Sequence, residues 1–131
     1  MKERRFTRQI HVGKVPIGGG APISVQTMAN AHPHDAAALL RQIADAAEVG
    51  CDIVRLTVPD PEAVTTFAQV RRASPLPLIA DIHFDYRLAL AVLEAGADGL
   101  RINPGNIGGA DRVAAVAAAA QARKVPIRIG V

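Results

Sequence analysis

At 131 residues, half of them hydrophobic and 3% aromatic, the chain can bury a core of its own but is no longer than one domain. A formal charge of +3 suits an anionic partner, yet no Lys/Arg run alternates with aromatic side chains, which points to a small phosphate compound and away from nucleic acid. The single cysteine, Cys51, excludes an intramolecular disulfide and a self-contained thiolate metal cluster; the charged opening lacks the apolar core of a signal peptide and no run approaches membrane-spanning length, so no membrane partner and a cytoplasmic location are expected.

Residues 1–21 read as a lead-in, expected to form a hairpin that caps the bottom of the domain that follows. From residue 22 onward apolar strands alternate with helical patterns at βα spacing. The first strand is expected over 23–28. A helix follows from about Asp35, with Leu39, Leu40, Ile43 and Ala47 on one face and Gly50 as its left-handed stop. The second strand spans 53–58; its helix has Asp60 as N-cap, Pro61 at the first helical position and Glu62 in the first turn, then Val64, Phe67, Ala68 and Arg71 at helical spacing. The third strand covers 78–83, and its helix starts at Asp85, buries Leu88, Ala89, Val92 and Leu93, and stops at Gly96. A fourth strand over 100–103 leads to a helix from about Asp111 to Arg123, with Arg123 and Lys124 at its negative end. A fifth strand is expected over 127–129.

An internal repeat sets the architecture. Glu-Val-Gly-Cys-Asp-Ile-Val-Arg-Leu, residues 48–56, matches Glu-Ala-Gly-Ala-Asp-Gly-Leu-Arg-Ile, residues 94–102, with Glu, Gly, Asp and Arg in identical register. Each copy is a helix end, a glycine stop and a strand bearing arginine. Equivalent units two βα units apart suit a (β/α) barrel, which fills interior layers from alternate strands. The fold class is α/β, and the five strands and four helices read as the N-terminal part of a TIM (β/α)8 barrel. A complete barrel has eight strands over about 250 residues, so the chain is expected to be a truncated piece whose open edges pair with another copy or aggregate.

Four of these strands carry a charge where a buried strand should be apolar: Arg55, Asp81, Arg101 and Arg128. Side chains alternate across a strand, so Arg55 shares a face with Ile53 and Thr57, Asp81 with Ile79 and His83, Arg101 with Gly99 and Asn103, and Arg128 with Gly130. The opposite set, including Val25, Val54, Leu56, Ala80, Ile82, Leu100, Ile102, Ile127 and Ile129, suits packing under helices. Three arginines against one aspartate leave an excess of buried positive charge that an anion would complete, and arginine grips phosphate through paired hydrogen bonds while staying charged. Asp81 is a candidate to orient an arginine or accept a ligand hydroxyl, and His83 to donate a proton or hydrogen bond. The competing reading is an interior ion-pair network without a ligand.

Other features are weaker. Gly18, Gly19 and Gly20 precede a strand, the wrong order for a phosphate cradle, and are expected to form a turn below the barrel. The Asn103–Gly109 stretch has the right order, and either a backbone anion cradle or an ordinary βα loop suits it. His32 and His34 flank Pro33 without nearby acidic or thiol partners and are expected to be solvated, and Cys51 is expected to pack as a small apolar group.

The runs VGKVPIGGGAPISVQTM, DIVRLTVP, ADIHFDYRLAL, LRINPGNIG and PIRIGV together resemble one family, the 4-hydroxy-3-methylbut-2-enyl diphosphate synthases of isoprenoid biosynthesis by the methylerythritol phosphate route. The resemblance runs from Val12 to the last residue. It implies an N-terminal TIM barrel followed by a smaller domain with a [4Fe-4S] cluster, held by three cysteines and a glutamate that cannot be assigned in this chain. It also implies reductive opening of 2-C-methyl-D-erythritol 2,4-cyclodiphosphate with flavodoxin or ferredoxin as electron donor. Carried over by position, Arg55, Arg101 and Arg128 resemble the arginines that clamp the diphosphate, and Asp81, His83 and Asn103 resemble residues lining the same pocket. A homodimer is expected of the intact protein, and no activity of these 131 residues alone. Two alternatives stand beside this reading: a non-redox TIM-barrel enzyme on a phosphorylated substrate, similar to the pterin synthases, and a non-catalytic half barrel that binds an anion.

Overall fold

Alternating apolar strands and capped helices resolve into a five-stranded parallel sheet and four helices, preceded by a hairpin. The computed structural model describes residues 2–131, so Met1 of the lead-in lies outside the described residues. The hairpin pairs β1 (Ile10–Val12) with β2 (Val15–Ile17) in antiparallel register, His11 opposite Pro16. The sheet then runs β3 (Gln26–Met28), β4 (Ile53–Thr57), β5 (Leu78–Ile82), β6 (Gly99–Ile102) and β7 (Ile127–Ile129). Helices α1 (Ala36–Glu48), α2 (Pro61–Ala73), α3 (Tyr86–Glu94) and α4 (Ala110–Ala122) make the crossovers.

Strand order in space equals order in sequence, β3-β4-β5-β6-β7. Right-handed crossovers that always step the same way leave every helix on one face, which is the winding of a barrel; a doubly wound sheet reverses its order at a switch point. The helices start where local chemistry dictates. Asp35 and Asp60 accept the N–H groups of Ala38 and Ala63 at 3.0 and 2.8 Å, Asp85 accepts that of Arg87, and Pro61 opens α2. Gly50 and Gly96 end the first and third helices at φ 90° and 93°, a conformation that costs other L-residues about 1 kcal/mol or more.

Under the helices the sheet presents Val54, Leu56, Leu78, Ala80, Ile82, Leu100 and Ile102, buried together with Ile43, Phe67, Val92 and Val116 in one core. The opposite face holds a smaller cluster in which Val12 of the hairpin packs on Ile53 and Ile79, at the N-terminal ends of β4 and β5. Gly19 N donates to Thr7 Oγ1 at 3.0 Å, so the glycine run folds back onto the lead-in.

Two expectations fail at the sheet edges. The first strand pairs only over Gln26–Met28, not 23–28, and Val25 and Ile129 are 56% and 59% exposed instead of lying under helices. A strand flanked on both sides has α-helices over it from both neighbouring crossovers. β3 and β7 have a neighbour on one side only, and their outward face is covered in part.

Candidate anion-binding site on the polar sheet face

Strand register brings the charged side chains to neighbouring levels. Thr57, Asp81, Arg101 and Arg128 stand opposite one another in sequence across β4, β5, β6 and β7, with Arg55 one step lower on the same face. Asp81 lies on the central strand and is 2% exposed. Its Oδ2 is 3.4 Å from Arg55 Nε, and its Oδ1 is 3.5 Å from Arg101 Nη1 and 3.6 Å from His83 Nε2. These are ion-pair distances, longer than the 2.7–2.9 Å of a charge-assisted hydrogen bond. Consequently Arg55 Nε and Asp81 Oδ1 are both buried without a hydrogen-bond partner. A buried donor or acceptor left unpaired costs about 1–3 kcal/mol, and more when charged. One carboxylate facing two guanidinium groups also leaves a net positive charge. The arrangement can therefore take an anion that supplies acceptors to the arginines, together with a hydroxyl that donates to Asp81.

The remaining predicted residues sit around this triad in different ways. His83 lies at the rim, its side chain 45% exposed, with its ring 6.1 Å from that of the exposed Phe84. Arg128 is exposed, and with Ser24, Gln26, Ile79 and Gly99 it lines an open cavity of about 420 Å³ that does not include Asp81. Asn103 Oδ1 accepts the Gly105 N–H at 3.0 Å, and its carbonyl accepts that of Asn106 at 2.9 Å. Its side-chain oxygen is thus engaged in shaping its own loop, an Asx turn. Farther along that loop Gly108 packs on Arg112, whose guanidinium lies 5.1 Å over the Tyr86 ring. Arg87, also at the rim, forks onto Asp85 at 3.0 and 2.9 Å; that pairing holds the Asp85 carboxyl below the usual carboxylate range.

One contact escaped the sequence pattern. His34 was expected to be solvated and without acidic neighbours, but its Nε2 is 2.8 Å from both oxygens of Asp60 and its Nδ1 is 3.3 Å from Glu62 Oε2. The loops after β3 and β4 are adjacent because the strands are adjacent, so residues 26 positions apart meet. The Ala63 N–H holds the Asp60 carboxyl below its usual value of 3.8; burial opposes this and the His34 side chain reinforces it.

The residues present do not fit an iron–sulfur cluster. Cys51 is buried at the entry to β4, its thiol facing the carbonyls of Val25 and Ile53 at 3.4 and 3.2 Å. Among the described residues, no three His, Cys, Asp or Glu side chains are grouped so as to hold a metal ion, and no helix is long and apolar enough to cross a membrane.

Comparison with known proteins gives consistent results. The GcpE TIM-barrel domain matches residues 7–131. A 4-hydroxy-3-methylbut-2-en-1-yl diphosphate synthase (flavodoxin) of Maridesulfovibrio salexigens is 57% identical over 131 residues, all of this chain and 37% of the relative. One of the same name from Geobacter sulfurreducens is 60% identical over 125 residues, covering 95% of this chain and 35% of the relative. The chain thus spans about a third of the length of the curated relatives it matches. Among solved structures, a 4-hydroxy-2-oxoglutarate aldolase/2-deydro-3-deoxyphosphogluconate aldolase superposes with a TM-score of 0.53 at 26% identity, over 82% of this chain and 48% of that one.

Proposed function

The chain belongs to the GcpE TIM-barrel domain family, and we propose that it supplies the diphosphate-gripping part of an oxidoreductase that converts 2-C-methyl-D-erythritol 2,4-cyclodiphosphate to 4-hydroxy-3-methylbut-2-enyl diphosphate. The observation that carries this reading is the unpaired pair of buried atoms, Arg55 Nε and Asp81 Oδ1, within a site of net positive charge. The names of the relatives supply a diphosphate and flavodoxin.

In this reading Arg55 and Arg101 each present N–H groups to phosphoryl oxygens, and Arg128 adds charge from the edge strand. Asp81 Oδ1 accepts a hydroxyl of the bound ligand, which fixes the carbon skeleton relative to the diphosphate. His83, on the same strand face and open to the rim, donates a hydrogen bond or a proton to the oxygen that departs. Asn103 holds the loop that borders the pocket. The contribution of these residues is orientation and fixed positive charge where negative charge gathers. The reaction as a whole takes up two electrons and two protons and releases a water, with flavodoxin as the electron donor. An iron–sulfur cluster would supply that electron transfer, and its ligands lie outside these 131 residues, because the one cysteine faces backbone carbonyls at the opposite end of β4.

The test is titration of the cyclic diphosphate into the full-length protein bearing Arg101→Ala. Losing a charge-assisted contact of this type is expected to weaken binding about 10- to 100-fold. Unchanged affinity would remove Arg101 from the clamp and overturn the reading.

A further inference from the structure

Gly130 follows β7, and its N–H donates to Ile102 O at 2.9 Å, so its backbone is pinned to β6. Its φ lies outside the left-handed region, unlike that of seven other glycines in the chain. Backbone conformation therefore gives no reason for glycine here. Space does: a Cβ added at Gly130 would overlap Nη2, Cζ and Nε of Arg101. These guanidinium atoms lie against a Cα on that face that carries no side chain.

The direction Arg101 takes follows from charge. Level with it on one side stands Asp81 and on the other Arg128. Turning straight across to β7 would bring like charges together, whereas two residues farther along the same face the strand offers Gly130. The guanidinium leans over that position and still keeps Nη1 3.5 Å from Asp81 Oδ1. Arginine's planar fork is useful to an anion only when its plane is fixed.

We propose that Gly130 is a positioning residue for Arg101: the missing side chain is a slot that holds the guanidinium across β7, between Asp81 and the anion. Any larger residue evicts it. The atoms displaced are the far end of a flexible side chain, so the fold tolerates the change and the site does not. This inference rests on the reading of Arg101 as an anion ligand, and the experiment separates the two.

Calorimetric titration of the cyclic diphosphate into the full-length protein would compare Gly130→Ala, Arg101→Ala and the double variant. Gly130→Ala is expected to melt within about 2 °C of the parent, as a surface-type change does, and to bind at least about tenfold more weakly. On the Arg101→Ala background the same substitution is expected to add less than about twofold, because its effect passes through Arg101. Full affinity in Gly130→Ala alongside a loss in Arg101→Ala overturns the slot and leaves the anion-site reading standing. No loss in Arg101→Ala removes both. Equal factors on both backgrounds assign Gly130 a purely structural part and overturn the proposal. Should Gly130→Ala not fold, Arg101→Lys is combined with it, since a slim ammonium chain vacates the slot. Recovery of folding supports the inference, and continued failure overturns it.

Discussion

His34 Nε2 stands 2.8 Å from both carboxylate oxygens of Asp60, so the loop after β3 is fastened to the first turn of α2. Asp60 thereby caps a helix and anchors a loop with one carboxylate, and its folded-state pKa is lowered below 3.8 chiefly by the Ala63 N–H. Asp60→Ala removes both functions and is expected to lower Tm by several degrees, about 3–8 °C. Asp60→Asn keeps a capping oxygen and loses the charge, so it should cost less. A depressed carboxylate pKa stabilises the fold above the unfolded value, and that contribution is lost as pH falls through the lower folded value. The gap in Tm between parent and Asp60→Asn should therefore shrink as pH falls below 3.8. Thermal melts from about pH 5 downward read it; a gap that grows below 3.8 contradicts the assignment.

The repeat of residues 48–56 in 94–102 has a structural reason in its aspartates. Asp52 Oδ2 accepts the N–H of Val25 at 2.7 Å, and Asp98 Oδ2 accepts that of Leu78 at 2.9 Å. Each ties the segment after a glycine stop to the strand before it. Asp98 does more: its Oδ2 is 2.8 Å from Arg71 Nε, its Oδ1 accepts from Arg71 Nη2 at 3.0 Å, and its side chain is only 10% exposed. Asp98→Ala is expected to cost about 3 kcal/mol and Asp52→Ala about 1 kcal/mol. Urea denaturation of the two variants measures this, and equal or reversed costs would refute the argument.

In the proposed anion site, Asp81 opposes the positive charge of Arg55 and Arg101. Asp81→Asn preserves shape and removes a negative charge 3.4 and 3.5 Å from the two guanidinium groups. Inorganic pyrophosphate, which has no carbon skeleton to orient, should then bind about three- to tenfold more tightly at low salt, with the gain falling as salt rises. Titration of pyrophosphate at two ionic strengths checks it. Weaker or unchanged binding would mean that the carboxylate works with the anion and not against it.

Much of this protein is legible residue by residue. Asp35, Asp60 and Asp85 start their helices, Gly50 and Gly96 stop theirs, and period-two alternation puts Arg55, Asp81 and Arg101 on one face. Such signals need only a few neighbouring residues, since caps, left-handed stops and side-chain alternation are consequences of local backbone geometry.

Tertiary structure decided which of those residues meet. Arg55 and Arg101 reach Asp81, whereas Arg128, on the same face, is exposed at an edge; Val25 and Ile129 fit the apolar alternation yet face solvent. His34 finds Asp60 across two loops, and Gly130 matters through the space Arg101 occupies. The physical reason is common to all four cases. Contact across strands depends on register, on how many neighbours a strand has and on the direction a long side chain takes, and no periodicity along the chain encodes those. The sequence alone determined which side chains could share the polar face; only the assembled sheet determined which charges lie close together and which buried polar atoms go without a hydrogen-bond partner.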